Sequence, residues 1–203
     1  MPQDPPLQAD VGVSPLGSSD RLRVHSFVHT SRYLPRAATW QSVSTSRYQR
    51  LMRLDYLAGL FEYDTAVSRE LLTSLRGQRD VGERTRSVFA HILAARKVWI
   101  ERLRDGGRSE TLVWPTPSWD ECEVLIDDND RAYKSAIGGM SDLDLDELVA
   151  YQNSKGETFV SRRVDILMHV LLHGSYHRGQ VAQSVRRSGG EPTSTDYIFY
   201  LRE

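Results

Sequence analysis

Three of the six histidines of this 203-residue chain stand in one short segment, HVLLHGSYHRGQV, at positions 169, 173 and 177. In an α-helix, residues four apart lie on one face with their Cβ atoms about 5–6 Å apart. Two imidazoles at this spacing can bind one metal ion, and both His169–His173 and His173–His177 qualify. Because positions eight residues apart on a helix are offset by about 80° around its axis, all three are not expected to reach the same ion.

A further protein ligand is therefore expected from a facing helix. His91 is the candidate, since it lies between Val88 and Ala95 on the apolar face of a second predicted helix. A buried histidine on its own is more often a hydrogen-bonded structural residue than a ligand. The pattern thus leaves three interpretations open: a shared metal site, a polar network in the core, and a column of exposed side chains.

Two classes of metal site are disfavoured by the residues around the histidines. Gly174 occupies the position at which zinc proteases with a His-Glu-x-x-His motif carry their catalytic glutamate. The segment also lacks the Glu-x-x-His ligands of di-iron bundles. Protease chemistry and di-iron chemistry of these types are therefore not expected.

Three polar residues accompany the histidine pattern. Asp64 stands within the apolar stripe of the first predicted helix, where it could act on a metal-bound water as a base, an outer acceptor or a fourth ligand. The equal alternative is that Asp64 pairs with an arginine. Gln180 follows His177 by three positions and could return toward the core, whereas Arg178 is expected to anchor a loop or a carboxylate.

Hydrophobic periodicity predicts four long helices to position these residues. They cover about residues 48–77, 84–103, 118–138 and 163–187. Ser118 and Glu121 form a capping box at the start of the third helix, and residues 148–160 alternate loosely around NSKG, which is typical of a short hairpin. The predicted fold is all-α: a four-helix bundle with a short irregular or hairpin segment before the last helix.

Composition limits the function classes further. The net charge is −1, so no overall basic field favours nucleic acid, and the lone Cys122 excludes an internal disulfide or a cysteine-rich metal cluster. No apolar run approaches the roughly eighteen residues of a membrane span, so we expect a cytoplasmic protein without membrane contact. Residues 1–45, rich in Pro, Gly, Ser and Asp, are expected to form a mobile extension before a bundle domain at 46–203.

The ordered motifs of residues 48–203 resemble the DinB-like family of helical-bundle metalloproteins, the DNA-damage-inducible proteins. The segment HVLLHGSYHRGQV resembles the signature near the last helix of that family, and GGEPTSTDYIFYL resembles its usual ending. In order before them, FEYDTAVSRELLTSL resembles its first helix, VFAHILAARKVWIERL its second helix with an inward histidine, and YQNSKGETF the segment before the last helix.

The resemblance implies an up-down-down-up bundle with a mononuclear site of three histidines and water. Carried over to this chain, the ligands are His91, His173 and His177, with His169 outside the site by one turn. As residues that support the ligands we then expect His169 and Gln180. Relatives include thiol-dependent transferases and isomerases that use bacterial low-molecular-weight thiols, while many members have no assigned reaction.

We therefore expect a metal-dependent transferase or hydrolase that activates a thiol or water and acts on a small molecule. Zinc and nickel are the first candidates for the divalent ion and iron is a further one, because imidazole binds all of them. A low-molecular-weight thiol would be the co-substrate, and we expect a homodimer. The alternative is a non-catalytic metal-binding bundle that acts in a stress response through a protein partner.

Overall fold

The computed structural model describes residues 54–78 and 81–202, and the predicted extension at 1–45 lies outside them. Four long helices form the bundle: α1 (Leu54–Gly77), α2 (Glu83–Arg104), α3 (Trp119–Gly138) and α4 (Arg163–Arg187). A 3-10 turn (Asp142–Asp146) and the strands β1 (Leu148–Gln152) and β2 (Thr158–Arg162) separate α3 from α4, and the short helix α5 (Tyr197–Tyr200) follows. The all-α prediction with a hairpin before the last long helix is confirmed.

Helix α2 packs against both α3 and α4, and this packing determines which helix His91 faces. α2 packs against α4 along one side and against α3 along another, and α1 packs against α3. His91 on α2 therefore faces the helix that carries the other three histidines of the described residues. Within these described ranges, none of the helices combines the length and the apolar character needed to cross a bilayer.

The bundle interior consists of two apolar clusters. The first cluster contains the C-terminal part of α1, the N-terminal parts of α2 and α3, and the C-terminal part of α4: Leu71, Leu72, Leu75, Val88, Phe89, Ile92, Leu93, Cys122, Ile126, Val181 and Val185. The second lies toward the opposite end: Leu57, Phe61, Ile100, Tyr133, Ile137, Leu145, Leu167, Val170 and Leu171. Each long helix contributes to both clusters, as amphipathic helices of a bundle must.

Buried polar residues lie between the two apolar clusters, at the middle of each helix. They are Asp64, Thr65 and Ser68 on α1, Arg96 on α2, Asn129 on α3 and Arg178 on α4. We refer to these six residues as the polar layer. A buried polar group without a partner is costly, and several groups of the layer have partners in the bundle, whereas the Nε–H groups of Arg96 and Arg178 have no acceptor among the described residues. Asn129 donates to the carbonyl of Leu93 at 2.9 Å, and Arg96 donates to Thr65 at 3.2 Å.

The start of α3 matches the predicted capping box. The backbone N–H of Glu121 donates to Ser118 Oγ at 3.2 Å, and the backbone N–H of Ser118 donates to Glu121 Oε2 at 2.7 Å. These two bonds satisfy donors that the first turn of a helix leaves free. The short helix α5 was not expected from the sequence, in which residues 196–201 carry only an aromatic pattern.

The β-hairpin is joined to the end of α2 through Gly107. β1 and β2 pair antiparallel from Leu148 opposite Arg162 to Gln152 opposite Thr158. The backbone N–H of Gln152 donates to the Gly107 carbonyl at 2.9 Å. Gly107 has a φ of 84°, a conformation that favours glycine, and its Cα faces the β1 backbone directly. The hairpin therefore sits beside α2 because position 107 has no side chain.

Replacing Gly107 with alanine should destabilise the fold strongly. A methyl group there would overlap the Ala150 carbonyl oxygen and come within 2.8 Å of Tyr151 Cα. We expect the free energy of unfolding, measured by urea denaturation, to fall by about 3 kcal/mol or more. Gly106→Ala is the control, since Gly106 also has a positive φ of 64° but open space around its Cα, and it should cost only about 1 kcal/mol. Equal losses for the two variants would contradict this account of the hairpin.

Candidate metal centre

α2 and α4 bring His91, His173 and His177 into one cluster. One potential ligand nitrogen of each side chain lies within 4.8 Å of those of the other two. The Nε2 atoms of His91 and His173 are 3.0 Å apart, and the ring centroid of His177 lies 4.7 Å from that of His91 and 4.4 Å from that of His173. With metal–nitrogen bonds of roughly 2.0–2.1 Å, the three imidazoles are close enough to bind one metal ion.

Hydrogen bonds at the outer ring nitrogens orient two of the three imidazoles. His91 Nδ1 donates to the carbonyl of Val113 at 2.8 Å, and His177 Nδ1 donates to Gln180 Oε1 at 2.9 Å. Because both oxygens can only accept, Nδ1 carries the proton and Nε2 keeps its lone pair in each ring. Metal-binding histidines have this arrangement, in which the outer nitrogen donates to a carbonyl or carboxylate.

His173 carries its proton on Nε2, the nitrogen that lies close to His91, and metal binding through this nitrogen would displace that proton. Since His91 Nε2 acts as an acceptor, the Nε2–H of His173 donates to it across the 3.0 Å separation. Burial and the neighbouring His177 and His91 lower the pKa of His173 to about 4, and burial also lowers the pKa of His91. Both rings are therefore neutral at pH 7, which is the state in which imidazole binds metals.

The loop between α2 and α3 is held in place by Glu101 of α2. Glu101 Oε2 accepts from Ser109 Oγ at 2.6 Å and from Thr111 Oγ1 at 2.8 Å, while Oε1 pairs with Lys97. Hydrogen bonds from Lys97, Ser109 and Thr111 outweigh the effect of burial and lower the pKa of Glu101. The carboxylate therefore fixes the loop two residues before Val113, which carries the acceptor for His91.

Trp114, the next residue of this loop, covers the His91 ring. The two rings stack with centroids 3.8 Å apart and an interplanar angle of 9°, although Trp114 is 55% exposed. Sequence reasoning did not identify the roles of Val113 and Trp114. Val113 contributes a backbone carbonyl, which has no sequence signal, and nothing local in the sequence shows which face of His91 the loop crosses.

Asp64 lies in the polar layer and pairs with two arginines. Its Oδ2 lies 3.0 Å from Arg96 Nη1, and its Oδ1 accepts from Arg178 Nη1. All three side chains are at most 3% exposed. The arginine-pairing alternative is thus the arrangement found, since both carboxylate oxygens face guanidinium groups, and the role of Asp64 as a base, an outer acceptor or a fourth ligand stays a prediction. Arg178 anchors a carboxylate, as predicted.

The remaining candidate residues have separate positions. Gln180 contacts His177, as described above, whereas His169 stacks beside His173 with ring centroids 5.3 Å apart and does not belong to the group of three. Cys122 is buried, and burial raises its pKa to about 11, so its thiol is not a nucleophile at neutral pH.

Two sizeable cavities lie away from the histidines. A cavity of about 340 Å³ between α1 and α3 is lined by Phe61, Arg96 and Tyr133 among others. Another of about 540 Å³ lies between the start of α2 and residues 115–118. Neither is lined by a histidine of the cluster. Cavity size therefore does not locate the site, and the convergence of nitrogen donors does.

Replacing Asp64 with asparagine should destabilise the protein, because two buried guanidinium groups would lose their shared counter-charge. Removing one partner of a buried ion pair costs about 3–5 kcal/mol. We expect a loss of this size in the free energy of unfolding, measured by urea denaturation. Asp127→Asn is the matched control: it breaks an exposed 2.8 Å pair with Arg69 and should cost at most about 1 kcal/mol. A small effect of Asp64→Asn would contradict the structural role.

The metal-free protein should lose stability as the pH falls from about 6.5 toward 4. In this window the unfolded chain binds a proton at His173 that the folded protein, with its pKa of about 4, does not bind. The contribution of neutral His173 to the free energy of unfolding is therefore complete above the ordinary histidine pKa of about 6.5, and it is lost as the pH falls toward the folded-state pKa of about 4. With a chelator present, the melting temperature of the wild type should fall more steeply with decreasing pH than that of His173→Gln. Parallel curves would show that His173 titrates normally.

Comparison with known proteins assigns the chain to a family. A search of curated proteins gave no match. The model of the DinB family matches residues 65–203, a range that contains all three clustered histidines and spans most of the chain. The chain therefore belongs to the DinB family.

Proposed function

We propose that this chain is a metal-dependent enzyme in which His91, His173 and His177 hold one divalent ion, zinc or nickel in the first place. The observation that carries the proposal is the convergence of their ring nitrogens within 4.8 Å of one another. The outer hydrogen bonds of His91 and His177 add support, because they direct Nε2 lone pairs toward a common centre. Membership of the DinB family is compatible with it.

The donor set fits a divalent transition metal. Three neutral imidazoles leave the full positive charge of the ion and at least one position for another ligand. A bound divalent ion supplies a lowered pKa to a coordinated water or thiol, which makes a nucleophile available at neutral pH. Burial lowers the pKa of His91 and of His173 and so keeps these two imidazoles neutral, and Trp114 limits access on the His91 side.

We propose a low-molecular-weight thiol as the co-substrate and an electrophilic small molecule as its acceptor. The chain does not provide the thiol itself, since its lone cysteine, Cys122, is buried in the first apolar cluster. The hydroxyls of Ser109 and Thr111 in the loop donate to Glu101. Water as the nucleophile gives the corresponding hydrolase. The cytoplasmic location and the homodimer stay predictions of the sequence.

Elemental analysis of untagged protein tests the metal site directly. We expect about one divalent ion per chain in the wild type, and metal content reduced at least about tenfold in His91→Ala and His173→Ala, because each removes one of three ligands. His169→Ala is the matched control: it lies one turn from His173 on the same helix, outside the cluster, and should retain the metal.

Enzymatic turnover should depend on the bound metal ion. Conjugation of low-molecular-weight thiols with an electrophile panel should disappear with a chelator and return when the ion is restored. A wild-type protein that cannot be loaded would refute the metal site. A protein that is fully loaded but inactive with both thiols and water would refute the enzymatic proposal and favour the non-catalytic metal-binding bundle.

A further inference from the structure

Arg102 lies at the far end of the α2–α4 seam that contains the histidine cluster. Its guanidinium carbon is 4.8 Å from the ring centroid of Trp99 on the same helix and 5.9 Å from that of Tyr151 on β1. The two rings pack edge to face with centroids 5.0 Å apart. Cation–π contacts of this kind hold a guanidinium group in place without neutralising its charge.

The charge of Arg102 has no carboxylate partner among residues 54–78 and 81–202. Other arginines that contact a second structural element do have a carboxylate partner: Arg76 pairs with Glu123 and Arg163 with Glu147, each at 2.8 Å. The Nε–H of Arg102 is in addition buried without a hydrogen-bond acceptor in this part of the chain. A guanidinium that is held in place without a counter-charge can bind an oxyanion through its Nη groups.

A continuous row of side chains connects Arg102 with the histidine cluster. The ring centroid of Trp99 is 5.0 Å from that of His169, and His169 is 5.3 Å from His173. Trp99 follows His91 by eight residues, or about 12 Å along the helix axis. Arg102 and the cluster are thus the two ends of one row of contacting side chains.

We propose that Arg102 binds a carboxylate at the far end of the thiol co-substrate whose sulfur is held at the three-histidine site. This inference rests on the proposed function and names the class of thiol: an extended molecule with a terminal carboxylate. A carboxylate fits the two Nη groups of a guanidinium side by side, whereas a neutral hydroxyl gains neither the charge nor the paired contact. Trp99 and Tyr151 provide the apolar walls on which the middle of such a molecule packs.

Binding to the cobalt(II)-loaded protein tests this proposal without any turnover. The probes are ω-mercapto acids, 3-mercaptopropionate, 6-mercaptohexanoate and 8-mercaptooctanoate, each compared with the ω-mercapto alcohol of equal length. Dissociation constants come from the thiolate-to-cobalt absorption band. We expect the longer acids to bind about tenfold more tightly than their alcohols, and 3-mercaptopropionate to show no preference, because it cannot span the row.

Variants of Arg102 should remove this preference selectively. Arg102→Gln should give the acid and the alcohol equal affinity, and Arg102→Lys, which keeps the charge but not the paired geometry, should retain part of the difference. The matched control is Arg104→Gln on the same helix, whose guanidinium donates to the Ala132 carbonyl on α3 and should leave the preference unchanged. Unaltered cobalt d–d spectra would show that the histidine site is intact in all variants.

The outcomes separate this proposal from the proposed function. Equal binding of acids and alcohols at every length in the wild type, or an undiminished preference in Arg102→Gln, would overturn the carboxylate site while leaving thiol binding established. If Arg102→Gln does not fold, Arg102→Lys replaces it in the test. A preference of Arg102→Lys for the acid over the alcohol that equals the wild-type preference, both at low salt and at 0.5 M salt, would likewise count against the carboxylate site. Failure of all thiols to bind the loaded protein would overturn both proposals.

Discussion

The shared counter-charge of Asp64 is the interaction on which the rest of the bundle depends. One carboxylate on α1 faces guanidinium groups from α2 and α4, and all three side chains are buried. A shift of any of these helices by one turn would leave a buried charge without its partner, which is far more costly than a shift within an apolar core. The polar layer therefore fixes the relative heights of α1, α2 and α4, and with them the height of His91 relative to His173 and His177.

The cluster of histidines combines rigid and loop-borne parts. The helices set the positions of the imidazoles, whereas the outer contacts come from different sources: Gln180 belongs to the same helix as His177, and Val113 belongs to a loop attached to α2 by Glu101. Side chains on packed helices are positioned precisely, and loops vary more readily. The α2–α3 loop can thus change the surroundings of the site while the imidazoles stay in place.

Much of the architecture could be predicted from periodicity, because each long helix carries an apolar stripe and local end signals such as Ser118 with Glu121. The pairing of His91 with the α4 histidines was accessible for the same reason. The partners of Asp64 were not, since Arg96 and Arg178 stand 32 and 114 positions away and nothing local distinguishes them from other arginines. The Val113 carbonyl and the position of Arg102 against Tyr151 depend on how a loop and a hairpin cross α2, which tertiary packing determines.

Gly174 lies beside the central ion pair, which restricts the residues that this position can accept. A Cβ at this position would lie 3.2 Å from Asp64 Oδ1 and 3.3 Å from Arg178 Nη1, so the absence of a side chain leaves room for the central ion pair. This is also the place where a glutamate would stand beside the ligands in a protease-like site. A side chain at this position would press against the charges that align the helices. The surroundings of the histidine cluster can therefore change more readily in the exposed part of the α2–α3 loop, where Trp114 is 55% exposed, than at position 174.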